Sequence, residues 1–190
     1  MRYCLMVLLF CSNFLFAETA LKVKGSYFYS TSEIFRDVYD NGIFFDLEWD
    51  WRFCNRLSAA YDFGYLYKNG KSLNGDQKTS IRIIPLSFLF DYRIYQRTQW
   101  FVALGTGPIW ESVLIKNSSN YVNPKVSKNG FGGIFRATSD VNLSNKMLFT
   151  AFANYIYNRI NKPQPINSTV QASVIDLSGF QFGGGVGWHF

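Results

Sequence analysis

Cysteine, histidine and long apolar runs are scarce in this sequence. Its 190 residues include three cysteines, one histidine and three methionines, and only 17% of them are charged. Apart from a patchy N-terminal stretch, no apolar run approaches the roughly 20 residues that a membrane-spanning helix needs. A bundle of spanning helices is therefore excluded. Because 48% of the residues are nevertheless apolar, the chain can bury a core, and extensive disorder is excluded as well.

The N-terminal stretch, residues 1–17, has the organisation of a secretory signal peptide. Arg2 supplies a positive charge, an apolar segment follows, and Ala17 ends a small-residue cleavage site. We therefore expect a mature chain of residues 18–190; a buried first strand or helix is the alternative. In that mature chain Cys54 is the only thiol, which excludes an internal disulfide and a cysteine-rich zinc site.

Aromatic residues in alternating positions are what the sequence has in abundance. It contains 19 Phe, 12 Tyr and 5 Trp beside 15 Gly, a composition that favours strands over helices. Between Ile43 and Phe53 the odd-numbered residues are apolar, whereas the even-numbered ones after Phe44 are charged. The same alternation recurs at 57–67, 147–157 and 179–190. Each of these segments is predicted to be a strand with one apolar face.

Weaker alternation completes a set of eight strands. The predicted strands are residues 21–29, 43–53, 57–67, 81–92, 100–110, 131–139, 147–157 and 179–190. Their connections alternate between short ones (54–56, 95–98 and 142–145) and long ones (30–41, 68–79, 115–128 and 160–172). Three short turns and four long loops are what an eight-stranded antiparallel up-and-down barrel requires when both termini lie at the same end. The predicted fold class is therefore all-β.

The apolar faces of these strands are predicted to point outward. A soluble barrel would alternate too, with its apolar face inside, but eight strands enclose little space and these aromatic side chains would overfill it. An outward aromatic face is stable only in lipid, where a closed barrel leaves no unpaired backbone edge. The sequence therefore predicts a transmembrane β-barrel.

The aromatic residues are also predicted to form two interfacial belts. The belt near the short turns consists of Trp49, Trp51, Tyr92, Trp100 and Trp188. The belt near the long loops consists of Tyr27, Tyr29, Tyr65, Tyr67, Trp110, Tyr155 and Tyr157.

The last predicted strand, GFQFGGGVGWHF, ends in an aromatic residue that follows apolar residues at alternate positions. Together with the eight-strand pattern, it makes the mature chain similar to small eight-stranded bacterial outer-membrane proteins, the OmpA/OmpX/opacity-like barrel superfamily. The resemblance implies an outer-membrane location. It also implies that Phe182, Val186, Trp188 and Phe190 form a signal that the barrel assembly machinery reads during biogenesis; Gly184 departs from that pattern.

The opposite parity places eleven charged residues inside the barrel, five cations against six anions. They are Lys22, Lys24, Asp46, Glu48, Asp50, Arg52, Asp62, Asp91, Arg93, Arg136 and Asp140. Since an unpaired buried ion is costly, we expect these charges to pair with one another. Specifically, the three carboxylates from 46 to 50 are expected to pair with Lys22, Lys24 and Arg52. A plugged structural core is the favoured interpretation, and an ion path or gate is the alternative.

Residues typical of catalytic, metal and cofactor sites are few. His189 is the only histidine, so His-pair metal sites and most hydrolytic triads lack a component. Some eight-stranded barrels modify lipid A with a Ser and a His, but no serine lies within four residues of His189. The glycine-rich stretch 183–187 lacks the helix and the Lys or Thr of a phosphate-binding loop. The sequence therefore predicts no catalytic, metal or cofactor site.

Basic residues are concentrated in three of the predicted long loops of a chain whose net charge is +6. These residues are Lys68, Lys71, Lys78, Lys116, Lys125, Lys128 and Lys162. On the extracellular side they would gain counter-ions from the phosphate-rich inner core of lipopolysaccharide. Nucleic acid is disfavoured as a partner because no aromatic-basic groove motif is present.

These features predict a monomeric, non-catalytic outer-membrane barrel. It is expected to be surface-exposed or envelope-stabilising, with basic extracellular loops that contact lipopolysaccharide or external partners. A narrow channel for small or hydrophobic solutes is the second hypothesis. An enzyme acting on outer-leaflet lipid is the third.

Overall fold

The structure is a computed structural model that describes residues 18–71, 77–118, 124–161 and 174–190. The predicted signal peptide, residues 1–17, lies outside the described residues, as does Lys162. The described chain contains one helix, α1 (Glu33–Tyr39). Its strands are β1 (Glu18–Ser30), β2 (Gly42–Cys54), β3 (Leu57–Lys71), β4 (Lys78–Gln96), β5 (Trp100–Asn117), β6 (Lys125–Asn142), β7 (Met147–Tyr157), β8 (Arg159–Asn161), β9 (Val174–Asp176) and β10 (Gly179–His189).

Eight of these strands close into one antiparallel barrel. Strands β1 to β7 pair in chain order, and β10 pairs with both β7 and β1, which closes the cylinder. The short strands β8 and β9 form a separate two-stranded sheet. The connections at 55–56, 97–99 and 143–146 lie at one end together with the C-terminus, which we call the short-turn end; the opposite end is the long-loop end. The prediction of an eight-stranded up-and-down barrel is confirmed.

Alternation along each barrel strand directs apolar side chains outward. In β2, Phe45 and Trp49 are 68% and 55% exposed, whereas Phe44 and Glu48 are each 1% exposed. Because the barrel is closed, its backbone groups pair within the wall, and the apolar exterior suits a lipid surrounding. The prediction that the aromatic face points outward is confirmed. No described helix is long and apolar enough to cross a membrane.

The aromatic belts lie at opposite ends of this exterior. Most of their members are exposed, although Trp110 and Tyr155 are half-buried and Trp51 is covered by neighbouring rings, among them Tyr61. Ten residues separate Trp100 from Trp110, which is about 34 Å along the strand and, at a strand tilt of about 40°, about 26 Å along the barrel axis. This height matches the apolar band of roughly 25 Å in outer-membrane barrels.

Strands β3 to β6 are longer than the sequence pattern predicts. β3 stops pairing with β2 beyond Tyr65, and β6 pairs with β7 only from Gly133 onward. The outer parts of these strands continue as a four-stranded sheet, residues 66–71, 78–83, 113–117 and 125–128, which we call the protruding sheet. The prediction that the lysines lie in loops is therefore wrong for the six that are described: Lys68, Lys71, Lys78, Lys116, Lys125 and Lys128 lie on strands. Polar residues on both faces hide the alternation there.

The helix α1, in a segment predicted to be a loop, packs against the lumen-facing side of β3 in the protruding sheet. Ser32 caps it by accepting a hydrogen bond from the amide of Phe35, 3.3 Å away. A Cβ atom at Gly70 of β3 would lie 2.2 Å from the carbonyl oxygen of Val38, so only glycine permits this approach. Through Phe35 and Tyr39, α1 covers the apolar end of the lumen.

Candidate functional site

The half of the lumen nearer the short-turn end contains a network of buried ions centred on Glu48. Its carboxylate lies 3.0 Å from the Nζ of Lys22, 2.7 Å from that of Lys24 and 2.7 Å from a guanidinium nitrogen of Arg136. All four side chains are buried. One carboxylate on β2 thus joins cations from β1 and from β6 across the barrel.

Each of these cations also contacts further carboxylates. Lys22 lies 3.2 Å from Asp50 and 3.0 Å from Asp140. Lys24 lies 2.7 Å from Asp62. Arg136 donates to Asp91 through two nitrogens, one of them 2.7 Å from the acceptor oxygen. The network is therefore continuous from β1 through β2, β3 and β4 to β6.

Other charged residues predicted in the lumen have different partners. Arg52 pairs with Glu18 at the rim of the short-turn end, so the expected pairing of Arg52 with the β2 carboxylates is wrong. The two residues are direct cross-strand neighbours, and Arg136 interacts with Glu48 instead. Asp46 accepts hydrogen bonds from Ser26 and Gln181 at 3.3 and 3.2 Å.

The guanidinium of Arg93 stacks on an aromatic ring at the short-turn end. It lies 3.9 Å from the ring centroid of Phe101, within the range of a cation–π interaction. Arg93 is buried, and this contact holds its positive charge on the short-turn side of the ion network.

The half of the lumen nearer the long-loop end is apolar. The sequence-based prediction assigned polar and charged residues to the interior. It did not include this apolar half of the lumen. Phe28 and Phe44 meet edge to face with their centroids 5.6 Å apart, and Phe35 of α1 packs 6.0 Å from Phe28. The buried cluster consists of Phe28, Phe35, Tyr39, Phe44, Ala60, Leu66, Ile81, Ile83, Leu89, Ile109, Val113, Ile134, Ile156, Ile160 and Leu177. Burial also raises the pKa of the phenol of Tyr39, the last residue of α1, whose hydroxyl lies 3.1 Å from that of Thr79.

One carboxyl group lies in this apolar half and was missed by the sequence reading. Glu111 of β5 is buried and accepts a hydrogen bond of 2.6 Å from the side-chain amide of Asn158. Ala103 and Ile109 of β5 face inward, and Glu111 has the same parity. Its inward direction could therefore have been predicted from them. The residues at 113–115 that follow it are all apolar, so alternation no longer marked the strand there.

Two internal cavities in the described lumen are small. One of about 10 Å³ is lined by Asp46, Asp62, Gln181 and apolar neighbours. Another of about 10 Å³ lies at the short-turn rim beside Arg52 and His189. A cavity of this size has room for about one water molecule, so side chains fill the space around these two positions.

The remaining residues considered for chemistry are dispersed. His189 lies at the short-turn rim, with its Nε2 3.3 Å from the amide oxygen of Asn142. Within the described ranges no group of three or more His, Cys, Asp or Glu side chains could hold a metal ion. Cys54 is exposed at the end of β2. On the last strand the side chains of Phe182, Val186, Trp188 and Phe190 all face outward and are exposed.

No protein-family model matches this sequence, and no curated protein sequence does. Solved structures do match: the outer-membrane protein OprG from Pseudomonas aeruginosa has a TM-score of 0.67 at 15% identity, with 92% of this chain and 96% of OprG covered. The fold is that of the small outer-membrane barrels. The N-terminal barrel domain of OprF from the same organism matches at a TM-score of 0.57 and 8% identity, covering 91% of this chain and 97% of the domain.

A third solved barrel is similar over the same extent. Ail of Yersinia pestis, in complex with the heparin analogue sucrose octasulfate, has a TM-score of 0.55 and 12% identity, with 92% of this chain and 97% of Ail covered. At these identities the similarity establishes the shared barrel architecture.

Proposed function

We propose that this protein is a non-catalytic barrel of the bacterial outer membrane. Its long-loop end faces the outside of the cell, where it serves a surface or envelope-stabilising role and contacts lipopolysaccharide or external partners. The predicted signal peptide 1–17 directs export, and the outward residues Phe182, Val186, Trp188 and Phe190 direct assembly. The mature chain acts as a monomer and binds no nucleic acid.

The filling of the lumen is the observation that carries this proposal. The ion network around Glu48 occupies the half nearer the short-turn end, and the apolar cluster with Phe44 and Ile83 occupies the other half. Eight strands enclose room for little beyond side chains. A barrel filled in this way leaves its outer wall and its long-loop end as the surfaces available for binding.

Two further observations favour a non-catalytic role. His189 lies at the rim of the short-turn end, with Asn142 and Glu18 as its neighbours. The buried carboxylates Glu48, Asp50 and Asp62 contact lysines inside the wall, where a lipid substrate has no access to them.

Conductance across planar bilayers tests this function. We expect the wild-type protein to give conductance close to background. The same result is expected for Ile43→Ala, a control at a position that faces outward on the strand that carries Glu48. Steady single-channel steps in the wild type that Glu48→Ala alters and Ile43→Ala does not would contradict the proposal. That result would favour a narrow channel for small or hydrophobic solutes.

A further inference from the structure

Four lysines form a row across the outer face of the protruding sheet. Lys71 of β3 lies directly opposite Lys78 of β4, and Lys116 of β5 lies directly opposite Lys125 of β6. All four are exposed, and each shares the parity of the outward aromatic residues on its own strand. We call these four residues the basic row. Arg82 lies on the same face, opposite Tyr67.

This arrangement is unfavourable without an external anion. Like charges directly opposite each other on neighbouring strands destabilise a sheet, and the basic row contains two such pairs. The outward positions of the described protruding sheet include no Asp or Glu. The acidic residues Glu33, Asp37 and Asp40 belong to α1 and its C-terminal cap, and α1 contacts β3 and β1 on the lumen-facing side.

Protection of sheet edges does not account for the row. Lysines on edge strands commonly prevent unwanted pairing, which would explain Lys71 and Lys125. Lys78 and Lys116, however, lie on the two central strands of the protruding sheet. A role in binding accounts for all four residues, because they share one face.

The height of the row indicates which anion it meets. Lys116 lies six residues beyond Trp110, which corresponds to about 20 Å along the strand and about 15 Å along the axis of a barrel tilted by about 40°. Trp110 belongs to the aromatic belt that marks the edge of the hydrocarbon. The lysines therefore lie beyond the acyl chains and face sideways, toward neighbouring lipid headgroups.

We propose that the basic row binds the phosphate groups of the lipopolysaccharide inner core in the surrounding leaflet. This inference rests on the proposed function, which places the long-loop end outside the cell. It identifies outward-facing lysines of the wall, and not loop residues, as the binding groups. Lys68 and Lys128 belong to the same strands but have the inward parity, so they are excluded from the site.

That difference in parity supplies a matched pair of variants. Lys71→Gln/Lys125→Gln removes two outward charges from β3 and β6. Lys68→Gln/Lys128→Gln removes two inward charges from the same strands, three residues away. Both proteins carry the same net charge, and retained heat-modifiable mobility on a detergent gel shows that each one folds.

The binding probe is fully deacylated, phosphorylated lipopolysaccharide backbone oligosaccharide, titrated by calorimetry into the refolded protein in neutral detergent. We expect the outward double variant to bind about 25-fold more weakly than the wild type, because each lysine beside a phosphate-bearing surface contributes about a fivefold factor. The inward double variant should bind within about twofold of the wild type, since its lysines do not share the outer face.

Three results would overturn the inference. They are equal weakening in both double variants, equal binding of oligosaccharide from which the phosphates have been removed, and complete competition by millimolar inorganic phosphate at matched ionic strength. The last result would indicate a general anion site. None of the three affects the conductance test, so a failure of this inference is distinguishable from a failure of the proposed function.

Discussion

Neutralising the central carboxylate of the ion network should destabilise the barrel strongly. In Glu48→Gln the side chain keeps its volume but loses the charge that faces Lys22, Lys24 and Arg136. Removing one partner of a buried ion pair costs about 3–5 kcal/mol. Because each of the three cations retains at least one other carboxylate, we expect a loss of unfolding free energy near the lower limit, about 3 kcal/mol.

Urea unfolding in lipid vesicles, followed by tryptophan fluorescence and by gel mobility, measures this loss. With a denaturant slope of about 2 kcal/mol per molar urea, the midpoint should fall by about 1.5 M. The matched control is Asp46→Asn, two residues earlier on the same face of β2. Asp46 accepts hydrogen bonds from the neutral side chains of Ser26 and Gln181, so its change should cost less than about 1 kcal/mol.

The network reasoning would be refuted by equal midpoints for the wild type and Glu48→Gln. A loss in Asp46→Asn as large as that in Glu48→Gln would refute it as well, because the cost would then follow burial and not the three ion pairs.

Three further predictions concern the apolar lumen, assembly and the membrane. Phe44→Ala should cost about 3–5 kcal/mol of unfolding free energy by leaving a cavity in the lumen, whereas Phe45→Ala on the lipid face should cost clearly less in the same urea assay; equal losses would contradict the apolar cluster. Deleting Phe190, or changing it to Asp, should leave export intact and lower the amount of folded protein in outer-membrane fractions; normal levels would make the terminal pattern incidental. The wild type should fractionate with the outer membrane and migrate differently before and after boiling, and recovery in the soluble periplasm would exclude the barrel's proposed location.

Much of the fold could be predicted from the sequence because side-chain parity is a local property. A residue on a strand faces one side or the other whatever the rest of the chain does. Phe45 and Trp49 therefore face lipid, and Glu48 faces the lumen, as their alternation indicates. The narrow interior of eight strands then decided which face was which.

Which charged side chains pair with each other across the lumen could not be predicted from parity. Glu48 meets Arg136 although 88 residues separate them, because closure of the barrel brings β6 opposite β2. Arg52, which parity also placed inside, pairs with Glu18, its direct neighbour on β1. The choice depends on register and on how far each side chain reaches, and both are properties of the closed barrel.

The layering of the lumen and the extent of β3 to β6 were likewise decided by tertiary structure. Ile81 and Ile83 face inward, as Asp91 does on the same strand, yet they fill an apolar layer into which α1 inserts Phe35. The lysines of the protruding sheet lie where apolar and polar residues no longer alternate regularly. Cross-strand pairing of Lys71 with Lys78 and of Lys116 with Lys125 reveals their shared face. The sequence by itself determined which side of the wall each residue occupies, because alternation is encoded residue by residue. The height of each residue and its neighbours across the barrel depend on the register of eight strands at once, and that register exists only in the folded barrel.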